Sequence, residues 1–128
     1  MIRSMFVFLL VLLFPLSSIA QDDRFSKEFT ICMDKADATF DMIDCITVEF
    51  IKQKDIVTSV YDELKSSISS DDDRESLKES QQAWEKYVDS FSSFRSSPDF
   101  GTSGRLDANY WLLEATAARA KELRAVIP

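Results

Sequence analysis

Histidine is absent from this chain, and glycine nearly so, with two residues in 128. The first absence removes the usual neutral-pH general base and the commonest metal ligand. The second leaves no glycine-rich loop to cradle phosphate and no Gly-x-Ser-x-Gly elbow to present a nucleophile. The two cysteines, Cys32 and Cys45, fall short of the ligand set of a structural zinc site. Basic residues are also outnumbered, 15 Lys and Arg against 22 Asp and Glu, for a formal charge of −7. A chain of that sign repels nucleic acid and anionic headgroups and favours basic partners. Carboxylates are what remain for chemistry. Asp34, Asp37, Asp41 and Asp44 recur every three or four residues, yet they span a predicted helix break and read as a solvated face. The Asp71–Asp73 run lacks the spaced oxygen ligands and the glycine of a calcium loop. Neither catalysis nor a bound metal or cofactor is expected.

Long apolar runs are confined to the start of the chain. Arg3 precedes an unbroken apolar stretch from Met5 to Phe14, Pro15 closes it, and Ser18 and Ala20 supply small residues at −3 and −1 of a cleavage site. This is the pattern of a secretory signal peptide, so residues 1–20 are expected to be removed after Ala20. The run is far short of the ~20 apolar residues of a membrane span, and no later stretch qualifies. Gln21, not cysteine, follows the cut, so no lipid anchor is expected. What is left, residues 21–128, has the size of one domain, periplasmic or secreted. Loss of Arg3 makes it one charge more negative than the whole chain.

The apolar residues of that domain follow a helical period. Phe25, Phe29, Cys32, Met33 and Ala36 form one stripe, and Val57, Val60, Tyr61, Leu64 and Ile68 a second. Leu77, Trp84, Tyr87, Val88, Phe91 and Phe94 mark a third, and Leu106, Tyr110, Leu113, Ala117, Ala120 and Leu123 a fourth. No stretch alternates as a strand would, so an all-α antiparallel bundle of one short and three longer helices is expected. Thr39 is the expected N-cap of a second helix running to about Ser69, with Asp41 near its positive end. Ser70 and Asp73 resemble a capping box for the third. Pro98 and Gly101 mark the next connection, and Thr102 or Ser103 is expected to cap a last helix reaching about Val126. Trp84, Tyr87, Phe91 and Phe94 are expected to form core, with a ligand groove lined by them as the alternative. Tyr110 and Trp111, being adjacent, are expected to face different ways and leave one ring exposed. Phe100 is read as a staple or an exposed anchor, and Arg105 as a partner for Asp99 or Asp107.

Twelve residues separate Cys32 from Cys45. A redox motif would space its thiols by two, and zinc would need further ligands that this chain lacks. In an oxidising compartment the pair reads as a structural disulfide, closing a loop worth about 3 kcal/mol in the chain-entropy model. It would tie a helix too short to be stable alone onto its neighbour.

From Cys32 through Ala36, Thr39 and Met42 to Cys45, followed by Glu49, the KQKD stretch, Tyr61 and Leu64, the sequence resembles the start of the lysozyme inhibitor LprI-like family of bacterial envelope domains. The block LKESQQAWEKYVDS is similar to that family's Leu, Gln and Ala-Trp pattern, and GTSGRLDANYWLLEATAARAKEL to its closing block. Many members carry a second cysteine pair where this chain has Ser92 and Trp111, so the resemblance implies loss of that bond as a unit, with Trp111 packing in its place. For function it implies binding: a protein partner, with a basic lysozyme the leading one, its glycan cleft blocked. The rival from another class is a non-catalytic envelope scaffold or accessory protein. The resemblance carries no binding residues across.

Overall fold

The computed structural model describes residues 24–128, so the expected signal peptide and its cleavage site at Ala20 lie outside the described residues. Those residues form four α-helices and one 3-10 turn, with no strand among them: α1 (Lys27–Lys35), α2 (Thr39–Ser67), α3 (Asp71–Arg95), the turn Pro98–Phe100 and α4 (Gly101–Arg124). The all-α reading, with one short helix and three long ones, holds, as does the single disulfide between Cys32 and Cys45.

Helix ends differ from expectation for local reasons. Thr39 is the first residue of α2 and not its cap; Ala38 holds the cap position, and its amide donates to Asp41 Oδ2 at 3.1 Å. The acidic arm of a capping box therefore works here without a hydroxyl. Ser70 does cap α3, accepting from the Asp73 amide at 3.2 Å, and Asp71 to Asp73 face the positive helix end. Neither Thr102 nor Ser103 caps α4. The turn begun by Pro98 runs straight into that helix, with Phe100 at the cap position. Gly101 makes this possible, because its φ of 66° lies in the left-handed region that other residues rarely adopt.

α4 is the spine. α2 packs along most of its length, α3 leans on it along a narrower line, and α1 lies on α2, whereas α2 and α3 scarcely touch. Two apolar clusters result. Val57, Val60, Leu64, Ala120 and Leu123 fill the end near the α2–α3 turn, and Phe29, Cys45, Ile46 and Leu113 fill the disulfide end. On α2 the two are separated by the buried polar residues Glu49 and Gln53.

Because α3 has one helix to lean on, it buries a single residue, Val88. The expected core face of Trp84, Tyr87, Phe91 and Phe94 is corrected accordingly: Tyr87 and Phe94 are 55% and 59% exposed, while Trp84 and Phe91 are half-buried. Tyr110 and Trp111 correct the opposite way. Both are half-buried, since α4 is sandwiched and each of two adjacent residues finds a helix on its own side. Tyr110 packs on Phe25 with ring centroids 6.3 Å apart, and Trp111 on Phe91 at 4.8 Å.

Gly104, in the first turn of α4, is buried beneath Phe100. A Cβ there would lie 2.3 Å from Phe100 Cβ and 3.1 Å from the Arg95 carbonyl, and neither atom is the free end of a flexible chain. Gly104→Ala gains about 1 kcal/mol in helix propensity, but forcing backbone apart costs about 1–3 kcal/mol. A net loss of about 1–2 kcal/mol is expected, read as a lower urea midpoint at unchanged slope; a more stable variant would show that the Phe100 turn yields freely.

Candidate binding surfaces

Three features of the bundle are built from polar or aromatic side chains and not from aliphatic packing alone. The first joins α1 to α2. Ser26, the N-cap of α1, accepts from the Phe29 amide at 3.2 Å, and both its own amide and its hydroxyl donate to Glu49, at 3.0 and 2.5 Å. Gln53 Nε2 donates to Glu49 Oε1 at 2.9 Å and to the Arg24 carbonyl at 3.1 Å. Glu49 thus completes from α2 the capping box that α1 lacks, since α1 has Phe29 where the box would place an acid. Lys52 Nζ donates to Ser26 Oγ at 3.2 Å and lies 3.6 Å from Glu28. The backbone amide at the helix start, and then Lys52, hold the exposed Glu28 carboxyl below its ordinary pKa. This network is structural: every group in it faces another.

The second feature flanks α3 on its Tyr87 side. Tyr87, Phe91, Phe94 and Phe100 form a chain of ring contacts with centroids 5.3 to 6.0 Å apart, and Trp111 meets Tyr87 and Phe91 edge-on. The Arg95 guanidinium lies 5.9 Å over both Phe91 and Trp111. Ser92, the other position of the missing cysteine pair, turns its hydroxyl onto the Asp89 carbonyl at 3.4 Å, and neighbouring aromatic rings seat Trp111. Between Phe94, Phe100, Arg95 and Asp107 a cleft of about 410 Å³ opens. Phe100 is 46% exposed, so it acts both as a lid on Gly104 and as part of the outer surface. Tyr, Trp, Phe and Arg in one exposed cluster are the residue types enriched at protein interfaces.

The third lies on the opposite flank of α3, where α2 and α3 diverge over α4. A groove of about 510 Å³ runs between them, walled by Phe50, Tyr61 and Trp84 and floored by Leu112 and Thr116 of α4. Arg119 of α4 clamps α3 in place: it donates to Gln81 Oε1 and Ser80 Oγ, each at 3.1 Å, and lies 5.8 Å from the Trp84 ring centre. Lys78, on the rim, has its pKa raised by its hydrogen bond to Glu75 and by that carboxylate's charge, with a smaller contribution from Tyr61 across the groove.

Asp34, Asp37, Asp41 and Asp44 are all exposed, as a solvated face requires, and Asp71 to Asp73 are exposed as well. Among the described residues no group of three or more His, Cys, Asp or Glu could hold a metal ion. Arg105 is exposed and its carbonyl accepts from Asn109 Nδ2 at 2.8 Å; it pairs with neither Asp99 nor Asp107. Sequence reasoning singled out the aromatic residues, and met Glu49 and Gln53 only within the family resemblance and not as a buried layer. A signal for that layer was present, because Glu49 and Gln53 fall on the same helical line as Ile46, Val57, Val60 and Leu64 and so stand at core positions.

Among the described residues no helix is long and apolar enough to cross a membrane. Comparison with curated proteins and with solved structures finds no match. The family model described as lysozyme inhibitor LprI, however, matches residues 32–123, from the first cysteine of the staple to the last buried leucine of α4, and the chain belongs to that family.

Proposed function

We propose that this chain is an exported protein that binds and inhibits a basic lysozyme by obstructing its glycan cleft. Membership of the lysozyme inhibitor family over residues 32–123 carries the reading. Three further observations support it. The disulfide fits an oxidising, extracytoplasmic compartment, consistent with removal of residues 1–20 and a working domain of residues 21–128. The formal charge of −7 favours encounter with a basic enzyme. The exposed cluster of Tyr87, Phe94 and Phe100 offers the aromatic anchors that such a contact needs.

Lysis of bacterial cell walls by a basic lysozyme should fall in proportion to added domain, reaching completion near equimolar amounts. The effect should weaken between about 0.01 and 0.15 M salt, as the screening length drops from about 30 to 8 Å. Undiminished lysis at a large molar excess would remove that enzyme as the target.

The same exposed aromatic cluster also favours a second reading, a non-catalytic envelope scaffold or accessory protein that uses the patch for self-association. In that case sedimentation would show a concentration-dependent dimer, dispersed by Phe94→Ser, and lysozyme would be unaffected.

A further inference from the structure

The groove between α2 and α3 lies on the other flank of α3 from the aromatic cluster and is not accounted for by the reading above. We propose that it is a binding site for a short neutral saccharide. Its size comes first. About 510 Å³ lies within the roughly 300–1,000 Å³ of small-ligand sites.

Charge selects the kind of ligand. On α2 the groove is lined by Lys54 and Asp62, and on α3 by Lys78, Glu85 and Asp89. Each wall of the groove therefore carries both signs. Lys78 is further neutralised by Glu75, whose Oε1 lies at 2.9 Å, and the Lys54 ammonium rests 5.7 Å over the Phe50 ring. An anion entering the groove meets three carboxylates against two ammonium groups that are already engaged. An uncharged ligand meets no such repulsion.

Lining chemistry narrows the class. Trp84 and Tyr61 place aromatic surface on opposite walls, suited to the apolar C–H faces of a pyranose ring. Around them the exposed side chains of Gln82, Asp62 and Asp89 make no hydrogen bond to any other described residue and are open to a ligand that can replace water. Between them they offer an amide that donates and accepts and two carboxylates that accept, which match hydroxyl groups that do both. Apolar faces edged by hydroxyls distinguish a saccharide from a lipid, whose chains offer the rim no hydrogen bonds in place of water's, and from a peptide backbone, which presents no such faces.

The test uses the mature chain carrying Trp111→Phe, so that Trp84 is its one tryptophan. Titration with the N-acetylglucosamine tetramer, and with a glucose tetramer, should change Trp84 emission saturably for at least one of them. Combining Gln82→Ala with Asp62→Ala should weaken that binding at least tenfold, since each lost hydrogen bond is worth about 0.5–1.5 kcal/mol and tenfold is about 1.4 kcal/mol. Phe94→Ser, on the far flank of α3, should leave it unchanged, and far-ultraviolet circular dichroism should match for every variant. No saturable response to either sugar at millimolar concentration would overturn the proposal, as would binding that the groove variants leave intact. Saturable Trp84 binding of an arginine-rich peptide with none of the sugars would assign the groove to protein instead. Because no lysozyme enters the assay, its result is separate from the fate of the inhibitor reading.

Discussion

Glu49→Ala should cost about 3 kcal/mol and release α1 from the bundle. Glu49 is 1% exposed, and its two oxygens receive three hydrogen bonds, from the Ser26 amide, the Ser26 hydroxyl and Gln53. Truncation removes all of them at once. Leaving a buried donor unmet costs about 1–3 kcal/mol, and two donors are stranded most severely, the Ser26 amide and the Gln53 amide nitrogen. Ser26 is half-buried, so water reaches it in part, and Gln53 keeps its bond to the Arg24 carbonyl. Those reliefs hold the sum near the middle of the possible range. Glu49→Gln preserves size but must turn its NH₂ toward one of the donors, so a smaller loss, about 1–2 kcal/mol, is expected. The urea midpoint measures both, and amide exchange at Phe29 reports whether α1 itself has come loose. A Glu49→Ala loss below about 0.5 kcal/mol, the usual range of a surface change, would mean the network contributes nothing net.

The contrast between Glu49 and the aromatic residues shows what in this fold is legible from sequence. Helix number, the short first helix and the staple follow from local information: a 3.6 period, Ser70 before an acidic turn, Pro98 and Gly101 at a break, two thiols in a chain without histidine. Ends moved by a residue or two where a neighbour took over the capping role, as Asp41 did for Ala38. Which side of α3 is buried was not local information. Trp84, Tyr87, Phe91 and Phe94 lie on a helical face that would be core if α3 packed on two helices; it packs on one, and Tyr87 and Phe94 remain outside. The groove has the same origin, because a helix that leans only on α4 leaves its α2 side open. Periodicity gives the direction of an apolar face but not the number of elements that come to cover it. A charged residue on that face, as at Glu49, is the one local sign that a polar contact between elements lies there.

Loss of the disulfide should have a comparable effect, and combining the two losses separates two ways in which α1 could be held. Cys32, in the second turn of α1, and Cys45, buried in α2, have Cα atoms 5.7 Å apart, within the ordinary span of a disulfide. With a sequence separation of 13, its removal through Cys32→Ala and Cys45→Ala should lower stability by about 3 kcal/mol. α1 is nine residues long, too short to persist once undocked, so it should leave as a unit. That makes the two tethers non-additive. Once Glu49→Ala has freed the Ser26 end, the bond holds a segment that no longer packs, and once the bond is gone the Glu49 network must hold α1 alone. The triple variant should therefore lose about 4 kcal/mol and not the ~6 kcal/mol of two independent sites. A domain totalling about 5–15 kcal/mol tolerates the smaller loss, with α2 and α4 still paired through Leu113 and Leu64. Full additivity in the urea midpoints would show instead that each tether stabilises α2 on its own account, and that α1 is not a cooperative element of the fold.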